Sequence, residues 1–171
     1  MKEAPRAEIV AVGTALRRIT QGTQTAFIVN DAPSIAAEVG ADGVHVGQDD
    51  MPVADVRRNY PELGIVGLST HNLEQARAAV GQCPDYIGVG PVFATPTKKI
   101  PDPVLGTETA GRMIASVPFP AVAIGGIDFG TLPSVLAAGA RNWAVVRAVC
   151  GSSAPYDAIR RLQEIAAQAN A

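Results

Sequence analysis

Two carboxylates, Asp31 and Asp50, each follow a short apolar run: Ala26–Asn30 leads into the first, and Gly43–Gly47 leads through Gln48 and Asp49 to the second. If those runs are neighbouring parallel strands, about 4.8 Å apart, two acids at their ends can reach one cation between them. All-oxygen sites of this kind select hard ions such as Mg²⁺, often shared with a substrate phosphate. Position alone leaves a second reading open, in which Asp31 starts a turn before Pro33 and Asp50 caps the next helix.

Further along, Gly90-Pro91-Val92-Phe93-Ala94-Thr95-Pro96-Thr97-Lys98-Lys99 is a long polar stretch where a tight turn would be usual. Threonine hydroxyls and loop amides can bond phosphate oxygens, and a lysine ammonium can neutralise charge on a leaving group. Gly125 and Gly126 end another apolar run, where the lack of a Cβ lets phosphate oxygens approach backbone amides. Val146 and Arg147 close the last run. Ser69-Thr70-His71 follows the run Gly64–Ser69. His71 there could be a general base, but a lone histidine at a strand end reads more readily as a structural hydrogen-bonding residue, as does His45 between Val44 and Val46, and no Ser-His-Asp or Cys-His order can be assembled.

These residues need elements to position them. Strand-length apolar runs recur at TAFIVN, DGVHVG, GIVGLS, DYIGVG, PAVAIGG and NWAVVR. Each is followed by a segment with helical spacing: Ile35–Val39, Val53–Arg58, Asn72–Val80, Thr107–Ser116, Thr131–Ala138 and Pro155–Ala169. Six βα units imply a parallel sheet with helices outside. A further amphipathic segment, Ala7–Thr20, precedes the first run. "GADG", "CPDY" and "GARN", beginning at Gly40, Cys83 and Gly139, mark helix ends that feed the next strand. This quasi-repeat favours a (β/α) barrel over an open doubly wound sheet. In a barrel, chemistry sits at the C-terminal strand ends and phosphate beyond the last two.

With 47% hydrophobic and 18% charged residues, the 171-residue chain can bury the core of one α/β domain. A net charge of −2 provides no basic footprint for nucleic acid. No segment approaches a membrane span or a signal peptide. Cys83 and Cys150 match no metal spacing and are expected to be reduced thiols in the cytoplasm.

Taken together, "FIVND", "ADGVHVGQDD", "GLSTH", "YIGVGPVFATPTKK" and "AVAIGGI" resemble thiamine-phosphate synthase over Ala26 to Val149. The resemblance implies a (β/α)8 barrel that joins hydroxymethylpyrimidine diphosphate to thiazole phosphate, releasing pyrophosphate. It implies Asp31 and Asp50 as Mg²⁺ ligands. Asn30, Ser69 and Lys98 would hold the pyrimidine diphosphate and carry the catalysis, and Thr95, Pro96, Thr97, Gly126, Val146 and Arg147 would surround the thiazole phosphate. Family members carry a small residue such as Ser where Arg147 stands. They also have two upstream strands, the second ending in Gln-x-Arg-x-Lys. Residues 1–171 are therefore expected to form one barrel domain of about six strands, shortened at its N-terminus, with Lys2 as the remnant of that lysine. An open edge and the family together suggest a homo-oligomer, such as a dimer. A thiazole tautomerase of the same fold and an inactive phosphate-ligand-binding remnant are the alternatives, against which Asn30, Asp31, Asp50 and Lys98 speak in the first case.

Overall fold

The computed structural model describes residues 4–96 and 102–169. Among them the elements run α1 (Arg6–Thr20), β1 (Ile28–Asn30), α2 (Pro33–Glu38), β2 (Gly43–Val46), α3 (Val53–Asn59), β3 (Ile65–Thr70) and α4 (Leu73–Gln82). They continue through β4 (Tyr86–Val89), α5 (Gly106–Ala115), β5 (Ala121–Ile124), α6 (Leu132–Ala137), β6 (Asn142–Ala144), α7 (Arg147–Cys150) and α8 (Pro155–Ala169). Strand order follows chain order from β1 to β6. That is the connectivity of a (β/α) barrel, whereas a doubly wound sheet reverses its order at a switch point. No described helix is long and apolar enough to cross a membrane.

The chain divides into two compact units, one holding residues up to Ser69 with Gln82–Asp85, the other Thr70–Gly81 and Tyr86 onward. In the first, β1 pairs in parallel with β2 and β2 with β3. Val44, Val46, Val66 and Leu68 are buried, covered by Ile35 and Ala36 of α2 and by Val53 and Val56 of α3. In the second unit, β4 pairs with β5 and β5 with β6, again in parallel. Its core is Ile87, Val89, Ala121 and Ala123 under Ala76 and Ala79 of α4, Met113 of α5, Leu132 of α6 and Leu162 of α8. Valine-rich strands under small helical residues are what parallel strands covered on both faces require.

The recurrent "GADG" and "GARN" signals are helix C-terminal motifs. After α2, Gly40 takes φ 64°, its N–H bonds Ala37 O at 3.1 Å, and the N–H of Ala41 reaches back to Ala36 O at 2.9 Å. Gly139 after α6 repeats both bonds. This double bond, built on a left-handed residue, satisfies carbonyls the helix leaves open.

The acids of "GADG" and "CPDY" share a second device. Asp42 accepts the Phe27 N–H at 2.7 Å and contacts Arg17 Nη1 through both carboxylate oxygens at 2.9 Å. Asp85 accepts the Val66 N–H at 2.6 Å and Arg57 Nη2 at 2.9 Å. Each acid therefore ties the entry of the preceding strand to a helix arginine. The Phe27 N–H does most to hold the Asp42 carboxyl below its ordinary range; desolvation opposes it, and the bond and charge of Arg17 add to the lowering. A depressed folded-state pKa stabilises the protein above the unfolded value, and the gain disappears as pH falls through the folded value. Asp42→Asn should therefore lower the melting temperature at neutral pH, with the gap to wild type narrowing as pH falls below the ordinary aspartate value of about 3.9. A gap of constant size in thermal melts across that range would refute this.

At its C-terminal end β6 is shorter than its apolar run. NWAVVR was expected to be strand through to Arg147, yet β6 stops at Ala144, and Val146 and Arg147 are the N-cap and first residue of α7. The ladder ends at the pair Ile124 and Ala144 because the next residue on β5, Gly125, turns away at φ 98°.

Candidate functional site

In the first unit, Asn30, Asp31 and Ser69 at the ends of β1 and β3 are linked by hydrogen bonds through His45 of β2. Asp31 lies one residue beyond β1, and its N–H continues the ladder to His45 O at 2.8 Å. It sits at φ 65°, a left-handed conformation that costs a residue with a Cβ about 1 kcal/mol or more, though Asp and Asn tolerate it best. Asn30 Nδ2 donates to Asp31 Oδ1 at 2.5 Å. The cap reading for Asp50 does not hold, whereas Asp31 does stand at a bend before Pro33. The N-caps of α2 and α3 are Ala32 and Pro52, and neither helix has a side-chain cap. Asp50 instead folds its own loop, its Oδ2 accepting the Gly47 N–H at 2.7 Å.

Ser69, half-buried at the end of β3, holds its Oγ 2.9 Å from His45 Nε2, while Gln48 Nε2 donates to Ser69 O at 2.6 Å. His45 and Gln48 are the participants that residue type alone did not assign to the site. The available signal for His45 was alternation: Val44 and Val46 are buried on one face of β2, so His45 points to the other. Among the described residues no group of three or more His, Cys, Asp or Glu side chains is placed to hold a metal. Asp31 and Asp50 stand on the segments that leave the adjacent parallel strands β1 and β2.

The second unit carries the glycine pair and the end of β6. The missing Cβ atoms of Gly125 and Gly126 make room for the chain that leaves β4. A Cβ on Gly125 would stand 2.6 Å from Pro91 Cα, and one on Gly126 2.7 Å from Phe93 Cβ. The chain leaving β4 lies against the end of β5, with Val92 N–H to Ile124 O at 2.8 Å and Phe93 N–H to Gly125 O at 3.0 Å. Thr95 on that segment is half-buried and Pro96 exposed. Val146 and Arg147 are exposed. Beside them, Asp128 accepts the N–H groups of Gly130 and Thr131 at 2.9 and 3.0 Å. The Thr131 amide first, then the Gly130 amide, the Thr131 hydroxyl and the charge of Arg147, hold the Asp128 carboxyl below its usual range against partial burial. The positive charge of Arg147 is therefore felt at the turn that follows the glycine pair. Lys2, Thr97 and Lys98 lie outside the described residues.

Comparison with known proteins completes the description. The family model for thiamine monophosphate synthase matches residues 1–149. A thiamine-phosphate synthase of Gloeobacter violaceus is 44% identical over 154 residues, covering 90% of this chain but only 45% of that protein. One from a Roseiflexus species is 39% identical over 168 residues, 98% of this chain and 71% of the relative. A thiamine phosphate pyrophosphorylase structure from Pyrococcus furiosus superposes with a TM-score of 0.90 at 36% identity, covering 99% of this chain and 81% of that one. A 3-hexulose-6-phosphate synthase structure, at 19% identity and a TM-score of 0.71, shares the fold.

Proposed function

Since this chain belongs to the thiamine monophosphate synthase family, we propose that it joins a hydroxymethylpyrimidine diphosphate to a thiazole phosphate, giving thiamine phosphate and pyrophosphate. The observation that carries this reading is the linked set at the strand ends of the first unit: Asn30 on Asp31, Asp31 on His45, and His45 and Gln48 on Ser69.

The bond between the pyrimidine methylene carbon and the diphosphate oxygen breaks, and its electron pair leaves with pyrophosphate. The electron-rich aminopyrimidine spreads the positive charge left on the methylene, and the thiazole nitrogen lone pair then forms the new carbon–nitrogen bond. No covalent nucleophile is required of the protein, so catalysis is positioning and electrostatics. Mg²⁺ held by Asp31 and Asp50 would supply charge neutralisation for the departing diphosphate. The Asn30 amide and the Ser69 hydroxyl are the donors for that diphosphate, with Lys98 and Lys2 as its cations. Thr95, Pro96, Thr97, Gly126, Val146 and Arg147 take the thiazole phosphate. In this reading Arg147 adds a full positive charge where phosphate is received.

The same reading makes the chain a cytoplasmic enzyme and a homo-oligomer. Support for the first is that Cys83 and Cys150 are both exposed and form no disulfide. Support for the second is the apolar face of α1, on which Val12, Leu16 and Ile19 are exposed. The test is incubation of the purified chain with both substrates. Thiamine phosphate and pyrophosphate should form in equal amounts and cease on chelation of Mg²⁺. Absence of pyrophosphate release at saturating substrates and Mg²⁺ would overturn the proposal.

A further inference from the structure

His71 follows β3 and is fixed by the start of α4. Its N–H donates to Gln75 Oε1 at 2.7 Å, and the Gln75 N–H donates to Asn72 Oδ1 at 2.8 Å. The imidazole points at another part of the second unit. Nδ1 lies 2.7 Å from Gly90 O and 3.6 Å from Asp102 Oδ2. A carbonyl oxygen only accepts, so Nδ1 carries the proton. Gly90 is where the chain leaves β4, and Asp102 is on the limb that returns toward α5. Between these points the loop has a narrow neck, in which Leu105 N–H bonds Pro91 O at 2.9 Å and Gly106 N–H bonds Val92 O at 3.0 Å. The outgoing limb is in turn joined to β5 through Val92 and Phe93. Both His71 and Asp102 are about three-quarters buried, with side chains 24% and 28% exposed, so the contact is made largely out of water.

We propose that His71 is a positioning residue for the segments 91–96 and 102–105: its Nδ1–H bonds the outgoing limb at Gly90 O and lies within 3.6 Å of Asp102 Oδ2 on the returning limb. The inference rests on the proposed function for its consequence, which is that Thr95 and Pro96 keep the placement that receives the thiazole phosphate. His71 acts through the loop and exchanges no proton with substrate. The donor at Nδ1 is committed to a backbone carbonyl, and the proposed reaction needs no base.

Two substitutions separate this role from a general contribution to folding. His71→Asn keeps a side-chain N–H near the position of Nδ1, and His71→Leu removes it. In the protein without substrates, His71→Leu should speed amide hydrogen exchange at Val92, Phe93, Leu105 and Gly106 by about tenfold, and His71→Asn should stay near wild type. With substrates, His71→Leu should raise KM for thiazole phosphate about five- to tenfold, leave KM for the pyrimidine diphosphate within about twofold, and be rescued by asparagine. Should the leucine variant fail to fold, Asp102→Ala removes the returning contact alone and should speed exchange at Leu105 and Gly106. Unchanged exchange at those amides in a folded variant overturns the inference, and so does an equal rise in both KM values or no rescue by asparagine. A wild-type chain that makes no thiamine phosphate defeats the proposed function instead, while the exchange measurement still decides whether His71 holds the loop.

Discussion

Asp31→Asn is expected to lower Mg²⁺-dependent thiamine phosphate formation by at least about a hundredfold, the scale of losing one preorganised group that stabilises developing charge. The fold should survive. Asparagine tolerates the left-handed backbone of this position, φ 65°, nearly as well as aspartate does. The bond from residue 31 to His45 O comes from the backbone and is untouched. The oxygen that receives Asn30 Nδ2 is retained by an amide. What the substitution removes is one negative charge from a pair, leaving Asp50 alone to meet a divalent cation. Initial rates measured across a Mg²⁺ series, beside thermal melts, separate the two effects. The metal assignment predicts a large fall in rate, a shift of the activation curve to higher Mg²⁺ and a nearly unchanged melting temperature. Full turnover with an unshifted curve would sink it, and a variant that melts far below wild type would make the carboxylate structural. Asp50→Asn should behave likewise, since the amide oxygen can still accept the Gly47 N–H that Asp50 Oδ2 now receives.

Much of this arrangement is legible in the residues. Apolar runs such as Tyr86–Val89 form strands where they occur, because strands buried on both faces need near-continuous apolar stretches. The helix ends at Gly40 and Gly139 are legible for the same kind of local reason. What depends on a neighbour is not. Val145 and Val146 are as apolar as any strand residue, and β6 stops before them because Gly125 has turned away on the adjacent strand. Gly125 and Gly126 are also where Pro91 and Phe93 come closest, a fact of tertiary approach with no trace in local spacing. His71 reads as an isolated histidine because its partner, Gly90 O, is 19 residues away. His45 and Ser69 join only through the register that sets β2 beside β3.

The close approach at the end of β5 gives the largest stability effect. A Cβ added at Gly90 would stand 2.3 Å from Ile124 O and 2.8 Å from Ile124 Cγ2. The first of these is a backbone oxygen that already accepts the Val92 N–H, so it cannot swing aside as the end of a side chain could. Either β4 and β5 separate, weakening the ladder that pairs Val89 with Ala123, or the loop neck shifts and loses its hold on Gly125. Gly90→Ala should accordingly destabilise the second unit by about 3 kcal/mol, the upper part of the range for overpacking a close-packed interior. For a chain of this size that corresponds to a fall of roughly 6–12 °C in melting temperature. Gly81→Ala is the control. It lies in the last turn of α4 with nothing within 4 Å of its added Cβ, and alanine is the better helix former, so its melting temperature should hold or rise. Calorimetric melts of the two variants decide the matter. If Gly90→Ala melts within about 2 °C of wild type, the β4 and β5 ends do not meet as closely as this structure has them, and the tight seat of the loop on the glycine pair goes with them.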